Sequence, residues 1–172
     1  MRPSSVEMVR SIEHSFETYV VPELEHPLAT SAAAGIKNLL RHLTVRIEAE
    51  PELLFRDSQG KRRLCAELAA SLRSNQGALA DPTLANLAEH LEAAATRQYR
   101  EPGEFPSLAS LAQENADLKE VVDRAVQDLH AHKKAVSTAG YERLSGLIQG
   151  QLRQQMEREA ACFDLSYTGP MF

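Results

Sequence analysis

Apolar residues recur every three or four positions along nearly the whole chain, and no other feature of the sequence restricts its fold so strongly. Residues at this spacing lie on one face of an α-helix. The composition agrees with the spacing, because the 172 residues include 24 Ala and 22 Leu, which are strong helix formers, against 9 Val and 4 Ile. The sequence therefore predicts an all-α fold and excludes an all-β protein.

Prolines and capping residues divide the pattern into helices. Ser4 or Ser5 can cap a first helix, which Pro22 is expected to end because proline cannot donate to the helical ladder. A second helix is predicted to begin near Pro27. The two helices have apolar stripes, which we expect to be buried: Val6, Val9, Ile12, Phe16, Tyr19 and Val20 in the first, and Leu28, Ala32, Ile36, Leu39, Leu40, Leu43 and Ile47 in the second.

The middle of the chain carries three further boundary signals. Pro51 fits the first turn of a third helix, and residues 57–60 (Asp-Ser-Gln-Gly) are expected to interrupt that helix. Residues 75–77 (Asn-Gln-Gly) form a good stop. Asp81, with the proline that follows it, is the clearest helix start in the chain, and it predicts a fourth helix that continues to residues 101–103.

The longest stripe begins after Ser107 and holds its spacing for about four heptads, with Asn115 as a polar member. The spacing loses phase at residues 137–140 and then resumes, which predicts one long C-terminal helix with a kink or short break. Residues 162–172 show no periodicity and are predicted to form an apolar tail. Amphipathic helices with short connections bury their stripes against one another, so we expect residues 1–161 to form a single up-and-down helical-bundle domain of five or six helices.

The charge balance limits the partners of the protein. Its 19 Lys and Arg and 24 Asp and Glu give a net charge of −5 without a separate basic segment, so nucleic acid is a poor candidate partner. No apolar run approaches the ~20 residues that span a bilayer, and the N-terminus lacks the apolar stretch of a signal peptide. Cys65 and Cys162 lack metal-ligand spacing and are expected to be reduced thiols. We therefore expect a cytoplasmic protein with no nucleic acid or membrane partner.

Histidines are candidate metal ligands here, because helical bundles commonly hold metals between facing helices. A di-iron site needs two Glu-x-x-His turns, and only residues 23–26 match, directly before a proline. A different site would use side chains that lie on or beside the apolar stripes: His132, Asp128, His42 and His90. The alternative, which the sequence favours, is a half-buried His132 that pairs with Asp128 one turn earlier and fixes the helix register.

Four basic residues surround the expected interruption of the third helix: Arg56, Lys61, Arg62 and Arg63. They are a candidate binding site for an anionic ligand or an acidic partner, although solvated surface charge is the commoner explanation of such a cluster. The sequence contains no Gly-x-Ser-x-Gly turn and no Gly-rich phosphate loop. Cys65 falls on the apolar side of its helix, where a thiol is inert. We therefore predict no catalytic residues and no cofactor.

The segments Glu25-His26-Pro27 and Leu39-Leu40-Arg41-His42-Leu43 allow one family comparison. In these segments the chain resembles small helical bacterial proteins of unknown function that accompany acyl-CoA dehydrogenase-like and aminoglycoside-phosphotransferase-like proteins. The resemblance covers the first part of the chain and consists of leucine-rich sequence. It implies an accessory role and assigns no catalytic residue.

The long stripes, the apolar tail and the lack of a convergent catalytic set predict a non-enzymatic protein that acts by association. We expect a homodimer or a complex with a protein partner. Two alternatives stay open at this point. One is a bundle enzyme or sensor that holds a divalent metal near His132, and the other is a binding protein for an apolar small molecule such as an acyl chain.

Overall fold

The computed structural model describes residues 2–99 and 105–166, the last six of them as helical backbone only. Within these ranges the chain forms six α-helices and no strand, so the predicted all-α fold is confirmed. In chain order the helices are α1 (Ser5–Ser15), α2 (Pro27–Arg73), α3 (Gln76–Ala80), α4 (Pro82–Thr96), α5 (Leu108–Ala131) and α6 (Thr138–Ser166). A π-helical turn (Phe16–Val20) and a 3-10 turn (Val21–Glu23) follow α1, and a second 3-10 turn (Lys133–Ala135) follows α5.

Three of the predicted helix starts carry side-chain caps. The Ser4 hydroxyl accepts a hydrogen bond from the N–H of Glu7 (3.2 Å), and the N–H of Ser4 donates to the Glu7 carboxylate (2.7 Å), which completes a capping box. Asp81 Oδ1 accepts from two N–H groups in the first turn of α4 (2.9 and 3.3 Å). Ser107 caps α5 in the same way. Each cap needs only residues within one turn, which is why the sequence predicts it.

The predicted third helix is not a separate element, because α2 runs without interruption from Pro27 to Arg73. Pro51, expected to start that helix, lies inside α2, where its ring removes one hydrogen bond of the ladder. The predicted interruption at residues 57–60 is also wrong, since three of these four helical residues are buried. Gly60 allows α6 to approach closely: a Cβ at this position would lie 2.5 Å from Nε2 of Gln151. A polar, glycine-containing stretch that looks like a loop in sequence is here an interior surface.

The other two predicted breaks are present. α2 ends at Arg73, and the side chain of Asn75 caps α3 by accepting from an N–H of its first turn (3.1 Å). α5 and α6 are separate helices with residues 132–137 between them, so the expected kink is a full break. The two breaks lie against each other, because a Cβ on Gly77 would come within 2.3 Å of the carbonyl oxygen of Ala135. Only glycine fits this approach.

The contacts divide the chain into two compact units. We call residues 1–52 with 157–172 the N-terminal unit and residues 53–156 the central unit. The predicted single domain over residues 1–161 stays a prediction. The predicted tail, residues 162–172, begins inside α6, and residues 167–172 lie outside the described residues.

The central unit has a continuous hydrophobic core. Its largest fully buried apolar side chains are leucines of α2, α4, α5 and α6: Leu68, Leu72, Leu84, Leu87, Leu91, Leu118 and Leu144. Each of them belongs to a stripe that the spacing predicts, and burial of one such side chain contributes about 2 kcal/mol. This core therefore holds four helices together and supports the polar side chains among them.

The N-terminal unit has no comparable core. Within residues 2–52 and 157–160, Val9 and Ala33 are the buried hydrophobic residues. The expectation that both N-terminal stripes are buried is therefore wrong. The spacing assigns residues to a helix face, but it does not supply the second surface that covers the face.

Candidate functional site

Polar side chains occupy one layer of the central unit, where α2 faces α5. Four of them are almost fully buried: Asp57 (5% exposed), Ser58 (1%), Lys61 (4%) and Glu114 (3%). Lys61 Nζ donates to the side-chain oxygen of Asn115 (2.7 Å), and the Asn115 amide donates to the carbonyl of Leu54 (3.4 Å). We call the four buried residues, together with Asn115 and Arg62, the polar layer. Charged residues are rarely buried to this extent unless they are paired.

Arg62 connects three elements of the central unit. Its Nε donates to Glu114 Oε1 (2.9 Å), and its Nη1 donates to the carbonyl of Ala95 (3.1 Å), which lies in the last turn of α4, where helical partners run out. The guanidinium also lies over the ring of Tyr99, 5.1 Å from its centroid, and that of Arg97 lies 4.8 Å from the same centroid. Burial raises the pKa of Tyr99. Arg62 thus ties α2 to α5 and to the end of α4.

The four basic residues predicted as an anion site do not share one surface. Lys61 and Arg62 bond within the polar layer, whereas Arg56 and Arg63 are exposed. The physical reason is that a helix replaces the expected loop, and a helix distributes successive residues around its axis. Arg63 lines a groove of about 230 Å³ between α2 and α6, beside Glu67. The ligand-binding role stays a prediction, and Arg56 and Arg63 are the members that a ligand in solution would reach.

His132 lies at the end of α5 and contacts a residue that the sequence did not suggest. Its Nδ1 is 2.8 Å from Oδ2 of Asp81, whose other carboxylate oxygen caps α4. The hydrogen bond from His132, followed by those from the N–H groups of α4, lowers the pKa of Asp81. The predicted pairing of His132 with Asp128 is wrong, because α5 ends at Ala131 and the chain turns there. Asp128 lies instead 3.5 Å from Arg124.

The other two predicted metal-binding histidines, His90 and His42, lie apart from His132 in the sequence and differ in exposure. His90 is exposed, with Nδ1 2.9 Å from the carbonyl oxygen of Asn86, and His42 is half-buried in the N-terminal unit. Across the part of the chain that the structure describes, no three His, Cys, Asp or Glu side chains come close enough together to hold a metal ion. The metal site of His132, Asp128, His42 and His90 stays a prediction.

Cys65 lies in the core of the central unit with no exposed surface. Burial raises the pKa of its thiol to about 11, so little thiolate exists at neutral pH. Its surroundings match the predicted inert thiol. The side chain of Cys162 lies outside the described residues.

In the N-terminal unit, charged residues join α1 and its π-helical turn to the first part of α2. Ion pairs link them, among which are those of Arg10 with Glu48 (3.8 Å), Glu13 with Arg41 (3.2 Å) and Glu17 with Lys37 (2.5 Å). Residue numbers rise on one helix as they fall on the other, so the two helices are antiparallel. The pair of Arg10 with Glu48 is exposed and the other two are half-buried, and exposed ion pairs contribute little to stability.

The two sides of this antiparallel pair differ in chemistry. A helix advances about 100° per residue, so on each helix the ion-paired residues fall to one side of the buried residue, Val9 or Ala33, and a row of apolar residues falls to the other. Since the helices run in opposite directions, both apolar rows lie on the same side of the pair. We call these rows the apolar face: Met8, Ile12, Tyr19, Leu28, Ile36, Leu39 and Leu43.

The apolar face is open to solvent. Tyr19, Leu28 and Leu39 expose 72%, 75% and 69% of their surface, and the other four residues expose 43–57%. Since a large side chain carries about 150–250 Å², the exposed apolar area is on the order of 800 Å². Monomeric soluble proteins rarely expose a contiguous apolar patch larger than a few hundred Å². The apolar face is therefore an unusual surface for a protein that works alone.

A shallow groove along α1 and its π-helical turn overlaps the apolar face at Ile12 and Tyr19. It has a volume of about 430 Å³ and is lined by Ser11, Ile12, Ser15, Phe16, Tyr19 and Val20. The π-helical turn Phe16–Val20 supplies three of these residues, and π-helical turns are frequent at functional sites. The groove extends the candidate interaction surface along α1.

The sequence did not predict the exposure of the apolar face or the pairing within the polar layer, and the reasons differ. The residues of the apolar face have the same three-four spacing as those of the buried stripes, so no sequence signal separates the two. The polar layer did leave a signal, since Asn115 is a polar residue on an otherwise apolar stripe. Its partner Lys61 could be recognised only once α2 was known to face α5.

Comparisons with known proteins identify no relative of this chain. No protein-family model matches the chain, and neither the curated proteins nor the solved structures contain a match. Among the described helices, none combines the length and the apolar character needed to cross a membrane.

Proposed function

We propose that this protein is a helical interaction protein that acts by association, with the apolar face of its N-terminal unit as the binding surface. One observation carries the proposal: seven large apolar side chains are exposed on one side of a helix pair that buries only Val9 and Ala33 among its described hydrophobic residues. Covering such a surface removes apolar area from water, which is the main favourable term in protein association.

The composition of the face also favours a protein partner. Tyr19, 72% exposed, is an amphipathic aromatic residue of the kind enriched at interface centres. Leu28 and Leu39 flank it with aliphatic surface at helical spacing, which is the pattern that a helix or helix pair recognises. A helical partner would therefore find both an aromatic anchor and a matching apolar ridge.

An accessory rather than catalytic role is in keeping with the use of polar groups in the central unit. Lys61 bonds to Asn115, Arg62 bonds to Glu114, and His132 bonds to Asp81. These groups stabilise helix pairs within the chain. The family resemblance of the N-terminal segments implies the same kind of role.

Site-specific photo-crosslinking in the source cell tests the proposal. A photoreactive amino acid replaces Leu39 in one variant and Leu79 in a matched control; Leu79 is an exposed leucine (47%) of the central unit, away from the apolar face in sequence. We expect a covalent adduct with a protein from position 39 and none from position 79. The absence of any protein adduct at position 39, with the photoreactive group shown to be active, would contradict association through this face.

A second candidate function rests on the groove beside α1. The groove is shallow and open, and its apolar lining of Ile12, Phe16 and Val20 comes from one helical segment, so it would contact one side of a ligand. The chain would then bind an apolar ligand such as an acyl chain. A thermal-shift screen with fatty acids and acyl thioesters tests this role, because a ligand that binds the folded state raises the melting temperature. Equal melting curves with and without ligand would remove this candidate.

A further inference from the structure

The helix pair of the N-terminal unit is too weakly packed to be complete. α1 continues directly into the π-helical turn that ends at Val20, and most of the stability of a helix in a protein comes from the packing of its apolar face. Among the described residues of this unit, Val9 and Ala33 are the buried hydrophobic ones, and the ion pairs beside them are exposed or half-buried, so the seven residues of the apolar face still lack packing. A further apolar surface over the apolar face would supply it.

The charge distribution shows which kind of surface fits. The ion-paired residues of both helices lie on the opposite side of the pair from the apolar face. Along the apolar row of α2, the next charged residues are Arg46 and Glu50, which form an ion pair with each other within the helix. The apolar face thus presents no net charge, and two such faces can meet without like-charge repulsion.

The size of the face agrees with the same partner. A standard protein interface buries about 800 Å² on each side, which is the order of the apolar area that one face exposes. Two antiparallel helix pairs that stack face to face form a four-helix bundle, in which each apolar row packs against rows of the other pair. The two-fold symmetry of such an arrangement requires a surface that is complementary to itself.

We infer that the apolar face binds the apolar face of a second copy of this chain, so that two N-terminal helix pairs form an intermolecular four-helix bundle. This inference rests on the proposed function and names its partner. Leu39 lies near the centre of this interface, because it is the most exposed residue of the α2 row after Leu28, which lies in the first turn.

Sedimentation equilibrium of the purified full-length chain tests the inference. We expect a mass twice the 19.0 kDa of one chain at micromolar concentration. Leu39→Glu places a charge in the centre of the face on both copies and should raise the dimer dissociation constant at least about 100-fold. The matched control Leu79→Glu, the same change at an exposed leucine of the central unit, should keep the mass of the dimer.

A second variant guards against misfolding. Leu28→Ser removes an exposed apolar side chain from the first turn of α2 and should also weaken the dimer, with an unchanged circular dichroism spectrum. A dimer that survives both Leu28→Ser and Leu39→Glu unchanged would overturn the inference, because the interface would then lie elsewhere. Loss of the dimer in Leu79→Glu to the same extent as in Leu39→Glu would overturn it too.

The inference and the proposed function can fail separately. If the purified chain is a monomer at all concentrations and position 39 still forms an adduct with a different protein in cells, the second copy is wrong and the interaction role stands. If the chain is a monomer and position 39 forms no adduct, both fail.

Discussion

The central unit and the N-terminal unit contain the same kind of helix stripe, but the two stripes have opposite environments. On α2, Leu68 and Leu72 are fully buried in the central unit, whereas Leu39 and Leu43 in the N-terminal unit are 69% and 46% exposed. One continuous helix carries all four. An apolar stripe therefore defines a helix face, and the face becomes part of a core only where neighbouring helices cover it.

The polar residues of the two units differ in the same way. In the central unit, Lys61 and Glu114 are buried, and each has a partner on the facing helix at hydrogen-bond distance. In the N-terminal unit, ion pairs such as Arg10 with Glu48 join the helices at the surface. Because the bonds of Lys61 and Glu114 are buried, they determine which helices pack together. The ion pair of Arg10 with Glu48 is screened by solvent and contributes less.

The largest expected effect is a loss of stability on truncation of a buried leucine, which an exposed leucine of the other stripe should not show. Leu68→Ala removes a fully buried side chain and should lower the free energy of unfolding of the central unit by about 3–5 kcal/mol. Leu39→Ala should change the free energy of unfolding of its own unit by less than about 0.5 kcal/mol in dilute solution, because the Leu39 side chain already contacts water. Urea denaturation of both variants gives the comparison. Equal losses would mean that the N-terminal stripe is buried as well.

The next effect concerns the buried ion pair of the central unit. Arg62→Met leaves Glu114 without its main cationic partner and should cost about 3 kcal/mol of unfolding free energy. The double variant Arg62→Met with Glu114→Met should regain at least half of this loss, since both charges are then absent. Arg63→Met, at the exposed neighbour, is the matched control and should have little effect. If the changes in unfolding free energy of the two single variants add up to that of the double variant, Arg62 and Glu114 are not coupled.

Capping residues give a smaller and more local difference. Ser107→Ala removes the cap of α5 and should lower the stability of the central unit by about 1 kcal/mol. Ser4→Ala removes the cap of α1 and should speed hydrogen exchange in residues 5–15 without changing the central unit. Hydrogen exchange read by mass spectrometry separates the two outcomes. If hydrogen exchange in residues 5–15 were equally fast or slower in Ser4→Ala than in the wild type, Ser4 would not stabilise α1 as its cap.

The smallest effect is a dependence on acid. The folded-state pKa of Asp81 is lowered by His132, and that of Glu17 is lowered by Lys37. A carboxylate with a lowered folded pKa stabilises the fold above its unfolded pKa, and this contribution is lost as the pH falls through the folded value. Between pH of about 5 and about 3, we expect the melting temperature to fall less steeply in Asp81→Asn and the helix content to fall less steeply in Glu17→Gln. Slopes identical to that of the wild type would show that neither pair contributes.

Local features of the fold were predictable. Ser4 and Asp81 cap their helices as their sequence positions predict, because a cap depends on residues within one turn. Pro51 and residues 57–60 misled the prediction, since a proline or a polar stretch can lie inside a helix when other helices cover it. The surrounding core, which local sequence does not contain, decided the outcome.

The candidate site was less predictable than the fold. His132 was expected beside Asp128 because both lie on one predicted helix, yet it contacts Asp81, which is distant in sequence. Lys61 was grouped with basic neighbours on the chain, yet its Nζ donates to Asn115 on another helix. In both cases sequence distance was a poor guide to spatial distance.

The helical character of this chain, the starts of most of its helices and the residues that share each helix face can all be predicted from local sequence. Spacing and capping act within a few residues, so they can be read without knowledge of the rest of the molecule. Whether a stripe is buried depends on long-range packing, which makes the stripe around Leu68 a core and leaves the stripe around Leu39 at the surface. Burial requires a second surface from a distant part of the chain or from another molecule, and the first of these stripes has such a surface within its own chain.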